Sequence, residues 1–289
     1  MPNITYNKEA DRPAINKGVR GGDVDAYRQN YVTFFDLDRG IGNRVGSVRL
    51  NPTFVTPRHR HVYDQIRYVL EGELQYGERR YGVGDFLYVP ESTFYGPQEG
   101  QQVKFVDIQF TGPSGIPYLD QDELARARKD MALVGTFESG IYIDSQGRAQ
   151  DSYVALTEHI TGKPVEYPPT RYDDIIVVHS NEFPWVKSPA HDGVMVRRLG
   201  TFNETGPEVK MLKLAPGAEL PAAAIPYQQA RFIVDGGVVH SGLEYPAISF
   251  AYIPPDAEFG ATHAYLETTM LFVTWSYSGG PTISSTGSV

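Results

Sequence analysis

The chain repeats itself without a gap. Residues 50–96 align with residues 214–260 at a constant offset of 164, and twelve of the 47 paired positions are identical. Among them are Tyr63/Tyr227, Gln65/Gln229, Arg67/Arg231, Gly72/Gly236, Tyr88/Tyr252 and Pro90/Pro254. Such a match means two copies of one fold. The copies differ in chemistry, because His59 and His61 face Ala223 and Ile225. A metal site is therefore expected in the N-terminal half alone.

The local pattern is that of short strands. Segments 31–37, 46–50, 65–70, 86–89 and 103–110 are rich in β-branched and aromatic residues, and Gly72, Gly77, Gly82 and Gly84 punctuate them. An all-β sandwich or barrel is expected, used twice. The organisation reads as a polar arm over 1–30, a first barrel over 31–112, a linker over 113–173, a second barrel over 174–277 and a Gly/Ser/Thr-rich tail over 278–289. The linker carries one expected helix, 120–133, capped by Asp120 or Asp122 with Leu124, Ala127 and Met131 on one face. A net charge of −9 with no long basic stretch argues against nucleic acid as a partner. The absence of cysteine excludes disulfides and thiolate metal sites. Residues 1–20 lack the apolar core of a signal peptide, and no apolar run reaches the ~18 residues of a membrane span. A cytoplasmic protein without a membrane partner is expected.

Two spacings carry a family resemblance. His59-Arg60-His61, three residues, Gln65, six residues and Gly72 form the first. Gly84, five residues, Pro90-Glu91-Ser92, two residues and Tyr95 form the second. Together they resemble the two motifs of the cupin superfamily, and the doubled arrangement resembles a bicupin. The resemblance implies two tandem cupin-type β-barrels, each a double-stranded β-helix or jelly roll. The sequence departs from the family at two places: Gln65 stands where the family has a carboxylate, and Tyr95 where it has a third histidine. The stretch from Phe183-Pro184-Trp185 through Pro189-Ala190-His191-Asp192-Gly193-Val194 also resembles the entry to cupin domains of the acetylacetone-cleaving and anti-sigma-factor type.

On a strand, residues i and i+2 share a face, so His59 and His61 project together. Two neutral imidazoles suit one divalent transition metal per chain, with iron first and Mn, Ni, Cu or Zn as alternatives. Gln65 and Tyr95 are the further candidate ligands, one through an amide oxygen and the other through a phenol. Phe259 replaces Tyr95 in the second copy, so the hydroxyl disappears together with the histidines. Both halves keep Tyr-x-Gln-x-Arg, so Arg67 serves either as a brace or as a fork for a substrate carboxylate or enolate. Its candidate partners are Glu73, Asp107 and Gln109. Tyr95 and Arg67 are the candidate catalytic residues, Tyr95 as an acid–base group. His159, His179, His191 and His263 are isolated, whereas His240 aligns with Tyr76 as a shared polar position. The expected function is a metal-dependent enzyme, foremost a dioxygenase, acting on a small phenolic, diketone or enol acid. The alternatives are a non-redox isomerase, lyase or cyclase, and a small-molecule-binding cupin without turnover. A homodimer is expected, as is frequent in the family.

Overall fold

The computed structural model describes residues 4–8, 15–16, 27–36, 39–138 and 140–276. Most of the expected arm and the whole tail 278–289 lie outside them. The architecture is two antiparallel barrels, each made of a large and a small sheet. In the first large sheet the order is Ile176–His179, Asp85–Val89, Asp64–Glu71, Val103–Phe110, Ile41–Leu50, Tyr27–Asp36 and Ile15–Asn16. A four-stranded sheet of Val55–Thr56, Gln98–Glu99, Leu74–Tyr76 and Arg79–Tyr81 faces it. In the second large sheet the order is Thr5–Asn7, Phe250–Ile253, Gln228–Asp235, Thr268–Trp275, Glu208–Leu214, Val194–Thr201 and Val186–Lys187. Its small sheet joins Glu219–Leu220, Thr262–Ala264, Gly237–His240 and Leu243–Pro246. The two jelly rolls expected from the repeat are therefore present.

The pleat explains how the site is built. Along Asp64–Glu71 alternate side chains go to opposite faces, and nearly all of them are buried. Ile66 and Tyr68 enter a core shared by both barrels, where Phe110, Phe232, Leu271 and Trp275 also pack. Gln65, Arg67 and Val69 point the other way, into the first barrel. Each barrel has its own interior core, with Leu74, Tyr95 and Phe105 in the first and Leu214, Val238 and Met270 in the second. The large sheets thus stack on one another, each covered on both faces. Gly46 permits a close strand contact. A Cβ there would lie 2.1 Å from the Asn30 carbonyl oxygen on the neighbouring strand.

Three expectations need correction. Residues 113–173 are more than a linker with one helix. Helix Gln121–Met131 is there, capped by the Asp120 carboxylate and burying Ala127 and Met131. A second helix, Ser152–Thr161, packs beside it, and a three-stranded sheet of Thr136–Glu138, Ile141–Ile143 and Ala149–Asp151 joins them. Next, Ile176–His179 does not belong to the second barrel; it pairs antiparallel with Asp85–Val89 of the first. Finally, part of the arm is ordered against this same chain. Thr5–Asn7 pairs with Phe250–Ile253 of the second barrel, and the strand of the first barrel begins at Tyr27, within the expected arm. The two added strands are equivalent: Ile176 lies opposite Tyr88 and Thr5 opposite Tyr252.

Near the junction of the barrels the buried Asp64 carboxylate accepts bonds from the Tyr88 hydroxyl at 2.7 Å and the Glu91 amide at 2.8 Å. Burial outweighs these bonds and pushes its pKa up to about 7. A carboxyl pKa raised in the folded state means that the fold binds a proton more tightly than the unfolded chain does. Its stabilising contribution is complete below the unfolded value and is lost as pH rises through about 7. The urea midpoint should therefore carry a component that falls between acid and neutral pH. Asp64→Asn should flatten that component; an unchanged pH profile would contradict the assignment.

Candidate metal centre

His59 sits on an isolated bridge ahead of strand Asp64–Glu71, not within a regular strand. Its amide donates to the Tyr95 carbonyl at 3.0 Å, and the Tyr95 amide donates to the His59 carbonyl at 2.9 Å. The His61 carbonyl accepts the Ser92 amide at 2.8 Å. Segment 59–61 thus runs antiparallel to 92–95, and this pairing brings the second motif onto the first. Four of the sequence-derived residues converge on one atom, the Tyr95 hydroxyl oxygen. It lies 2.9 Å from His59 Nε2, 3.1 Å from His61 Nε2, 3.3 Å from Gln65 Nε2 and 3.4 Å from an Arg67 terminal nitrogen. Tyr95, Gln65 and Arg67 are buried. His59 and His61 are partly exposed at the barrel mouth, and the Tyr63 ring stacks on His61 at 4.6 Å.

Proton positions follow from the partners. His59 Nδ1 lies 2.7 Å from the Pro57 carbonyl, an oxygen that can only accept. Nδ1 therefore carries the hydrogen, and Nε2 presents a bare lone pair. Tyr95 donates its one hydrogen there and accepts from His61 Nε2 and from the Gln65 amide nitrogen. Both imidazoles are held neutral. Burial lowers the pKa of each; for His61 the fall is large, and His59 and Arg67 add to it.

Behind Gln65 and Arg67 lies a buried polar network. Gln65 Oε1 accepts from Gln109 at 3.0 Å, and Gln109 Oε1 accepts from Arg44 at 3.3 Å. Arg44 and Arg67 share the Asp107 carboxylate, at 3.2 and 3.5 Å. Arg67 also donates to Gln98 at 2.7 Å and to the Tyr76 hydroxyl. Of the three partners left open for Arg67, Asp107 is thus the ion-pair partner. Gln109 holds Gln65 instead, and Glu73 pairs with Arg80 at the surface. Arg44, Tyr76 and Gln98 were not singled out as partners of this network. Arg44 arrives opposite Gln109 in the large sheet, while Tyr76 and Gln98 lie opposite each other in the small sheet that faces it. Among the described residues these two guanidinium groups share the one Asp107 carboxylate.

The donors suit a metal ion in kind and in spacing. Ligands about 2.0–2.1 Å from a common ion sit roughly 2.9 Å apart at right angles and about 3.4 Å apart at tetrahedral angles. The His59–Tyr95 and His61–Tyr95 separations fall within that range. No carboxylate faces the imidazoles, and among the described residues no group of three or more His, Cys, Asp or Glu could hold an ion. Any holding set must therefore use the Tyr95 oxygen and the Gln65 amide oxygen, which lies 3.4 Å from it and also accepts from Gln109. In the second barrel Gln229 bonds to Arg231 and Thr274, and His240 bonds to Tyr6 and Thr262. No pair of imidazoles converges there.

A model of the ChrR cupin-like domain matches residues 173–277. None of the curated proteins is similar to the chain in sequence. Several solved structures share its fold. A candidate dioxygenase of Nostoc punctiforme superimposes with a TM-score of 0.63 at 14% identity, covering 94% of this chain and 82% of that one. Oxalate decarboxylase from Bacillus subtilis gives 0.54 at 14% identity, with 99% and 79% covered; Mn(II) centres are described in that enzyme. Protein YlbA of E. coli gives 0.54 at 9% identity, with 94% and 90% covered. The fold is thus that of the cupins, present twice. No helix among the described residues is long and apolar enough to cross a membrane.

Proposed function

We propose that this chain, two cupin barrels in tandem, is a metal-dependent enzyme that acts on a small organic anion in its N-terminal barrel. One observation carries the reading: His59 Nε2 and His61 Nε2 meet the Tyr95 oxygen within 3.1 Å at the mouth of a barrel. His59, His61 and Tyr95 would hold a divalent transition metal, with Gln65 as the fourth donor. Bound there, such an ion supplies Lewis acidity and, as iron or manganese, one-electron chemistry with dioxygen.

The chain's own residues do the remainder. The Pro57 carbonyl fixes His59 in the tautomer that leaves Nε2 free to coordinate. Gln109 fixes the Gln65 amide, with Arg44 behind it. Arg67 donates toward the Tyr95 oxygen and holds it at the mouth of the barrel. Anionic substrate is favoured by the Arg67 guanidinium, 3.4 Å from the Tyr95 oxygen. The rim favours it too, since Arg58 and Arg60 both lie over the exposed Phe94 ring, at 5.0 and 4.8 Å. A carboxylate or enolate attached to a flat ring fits both features. Dioxygen chemistry is the first reading, with iron the expected metal, and Lewis-acid isomerisation or lysis the second.

The experiment is oxygen uptake by ferrous-loaded protein against a panel of catechols, diketones and enol acids. Consumption coupled to product supports oxygenation; turnover without oxygen supports the second reading; no turnover on any member with metal bound would overturn both. Tyr95→Phe should lower metal affinity by about 10–100-fold, since even an outer-shell partner of a ligand is typically worth that much. Metal titration of the variant checks this, and unchanged affinity would remove Tyr95 from the ligand set.

A further inference from the structure

The segment that carries both histidines is held from outside by residues of the insert 113–173. Arg60 stands between His59 and His61 in the chain, and its guanidinium packs over two rings, Phe94 at 4.8 Å and Tyr167 at 3.9 Å. Phe94 precedes Tyr95 on the opposing segment, and Tyr167 belongs to the insert. Three side chains therefore tie 59–61, 92–95 and the insert together. The other contact is made at Tyr63. Its ring stacks on the His61 imidazole at 4.6 Å, and the Tyr118 ring of the insert meets it edge-on at 5.3 Å and 80°. Tyr63 and Tyr118 are buried in a cluster that Tyr153, Val165 and Tyr167 of the insert also join. The insert thus reaches the segment on both sides of His61.

The repeat shows that the barrel closes without these contacts. The backbone bonds of the histidine segment recur in the second copy: Ser92 donates to the His61 carbonyl at 2.8 Å, and Asp256 to the Ile225 carbonyl at 2.8 Å. His59 lies opposite Tyr95 as Ala223 lies opposite Phe259. The side chains do not recur. Arg60 and Phe94 correspond to Ala224 and Glu258, so both are lost where the histidines are lost. The cluster therefore goes with the imidazoles and not with the fold. Packing that locks a donor's surroundings removes rotamer freedom before any ion arrives. The Pro57 carbonyl orients the His59 ring, and Tyr63 orients the His61 ring. We propose that the insert is a working part of the metal centre: Tyr167, acting through Arg60, is a positioning residue that, with Tyr118 behind Tyr63, keeps the two imidazoles facing Tyr95. The consequence for metal rests on the function proposed above; the packing does not.

The test compares full-length wild type with Tyr167→Ala and Tyr167→Phe, by amide hydrogen exchange of the metal-free protein and by release of Co²⁺ to excess EDTA. Tyr167→Ala should speed exchange of the His59, Ser92 and Tyr95 amides about tenfold, the scale of a partly desolvated cation–π contact. The Asp256 amide makes the matching bond in the second barrel and should exchange as before, which separates local loosening from global unfolding. Co²⁺ should leave about tenfold faster, and its visible spectrum, which reads ligand geometry, should shift. Tyr167→Phe keeps the ring and should match the wild type in every readout. Arg60→Gln breaks the same contact from the other side and should reproduce the alanine result; it keeps the test alive should Tyr167→Ala fail to fold. Unchanged exchange at Ser92 and Tyr95 in these variants, an equal change at Asp256, or no rescue by phenylalanine would each overturn the proposal. Faster exchange as expected, in a protein that takes up no Co²⁺, would uphold the positioning and remove the metal-dependent function instead.

Discussion

His59→Ala and His61→Ala are each expected to empty the protein of metal while leaving it folded. Both side chains are partly exposed at the mouth, and neither is a large element of the core. The second barrel already folds with Ala223 and Ile225 in their places. Each substitution leaves one imidazole beside Tyr95 and Gln65, a set with no carboxylate to compensate. The affinity should fall by more than about 100-fold, beyond what losing an outer-shell partner costs. Elemental analysis of protein purified without chelators should give about one ion per chain for the wild type and close to none for either variant, with superimposable circular dichroism. Retention of the ion by both variants would place it elsewhere.

The largest stability effect is expected at Asp107, the one carboxylate between two buried guanidinium groups. Its side chain is 2% exposed, and those of Arg44 and Arg67 are 6% and 7%. Asp107→Asn preserves shape and removes the charge, leaving two like charges facing each other out of water. Breaking a buried ion pair from one side typically costs about 3–5 kcal/mol. At roughly 2–4 °C per kcal/mol for chains near this size, the melting temperature should drop by about 10 °C or more. Thermal and urea unfolding measure this directly, and a loss below about 1 kcal/mol would show that water screens the network. Arg44→Met in the same background should recover part of the loss, because it removes one of the stranded charges.

What the sequence made legible followed from its repetition. The gapless offset of 164 exposed the twin barrels, and parity placed His59, His61, Gln65 and Arg67 on one side. The Tyr95 hydroxyl was singled out because Phe259 lacks it, and it is the atom on which the others converge. Harder to read was helix Ser152–Thr161. Its Val154, Thr157, Ile160 and Thr161 are β-branched, a composition that favours strands. The stop signals were present nonetheless: the Asp151 carboxylate caps its start, and Gly162 ends it in the left-handed region. Ile176–His179 reads as a strand, yet no local pattern says which sheet edge it will join. Arg44 is invisible for the same reason. It reaches the site only through Asp107 and Gln109, on a strand far along the chain.

The traded edge strands have a consequence for how the molecule can be taken apart. A cut within 163–173 would leave the leading fragment with Thr5–Asn7 but nothing to pair, and its own Asp85–Val89 edge bare. The trailing fragment would keep Ile176–His179 and lose Tyr6, which bonds to its His240. Neither fragment is a self-sufficient unit, and each holds the piece the other is missing. Mixed together, they should recombine one to one. The intact polypeptide behaves, in this sense, like a swapped dimer whose two members have been stitched end to end.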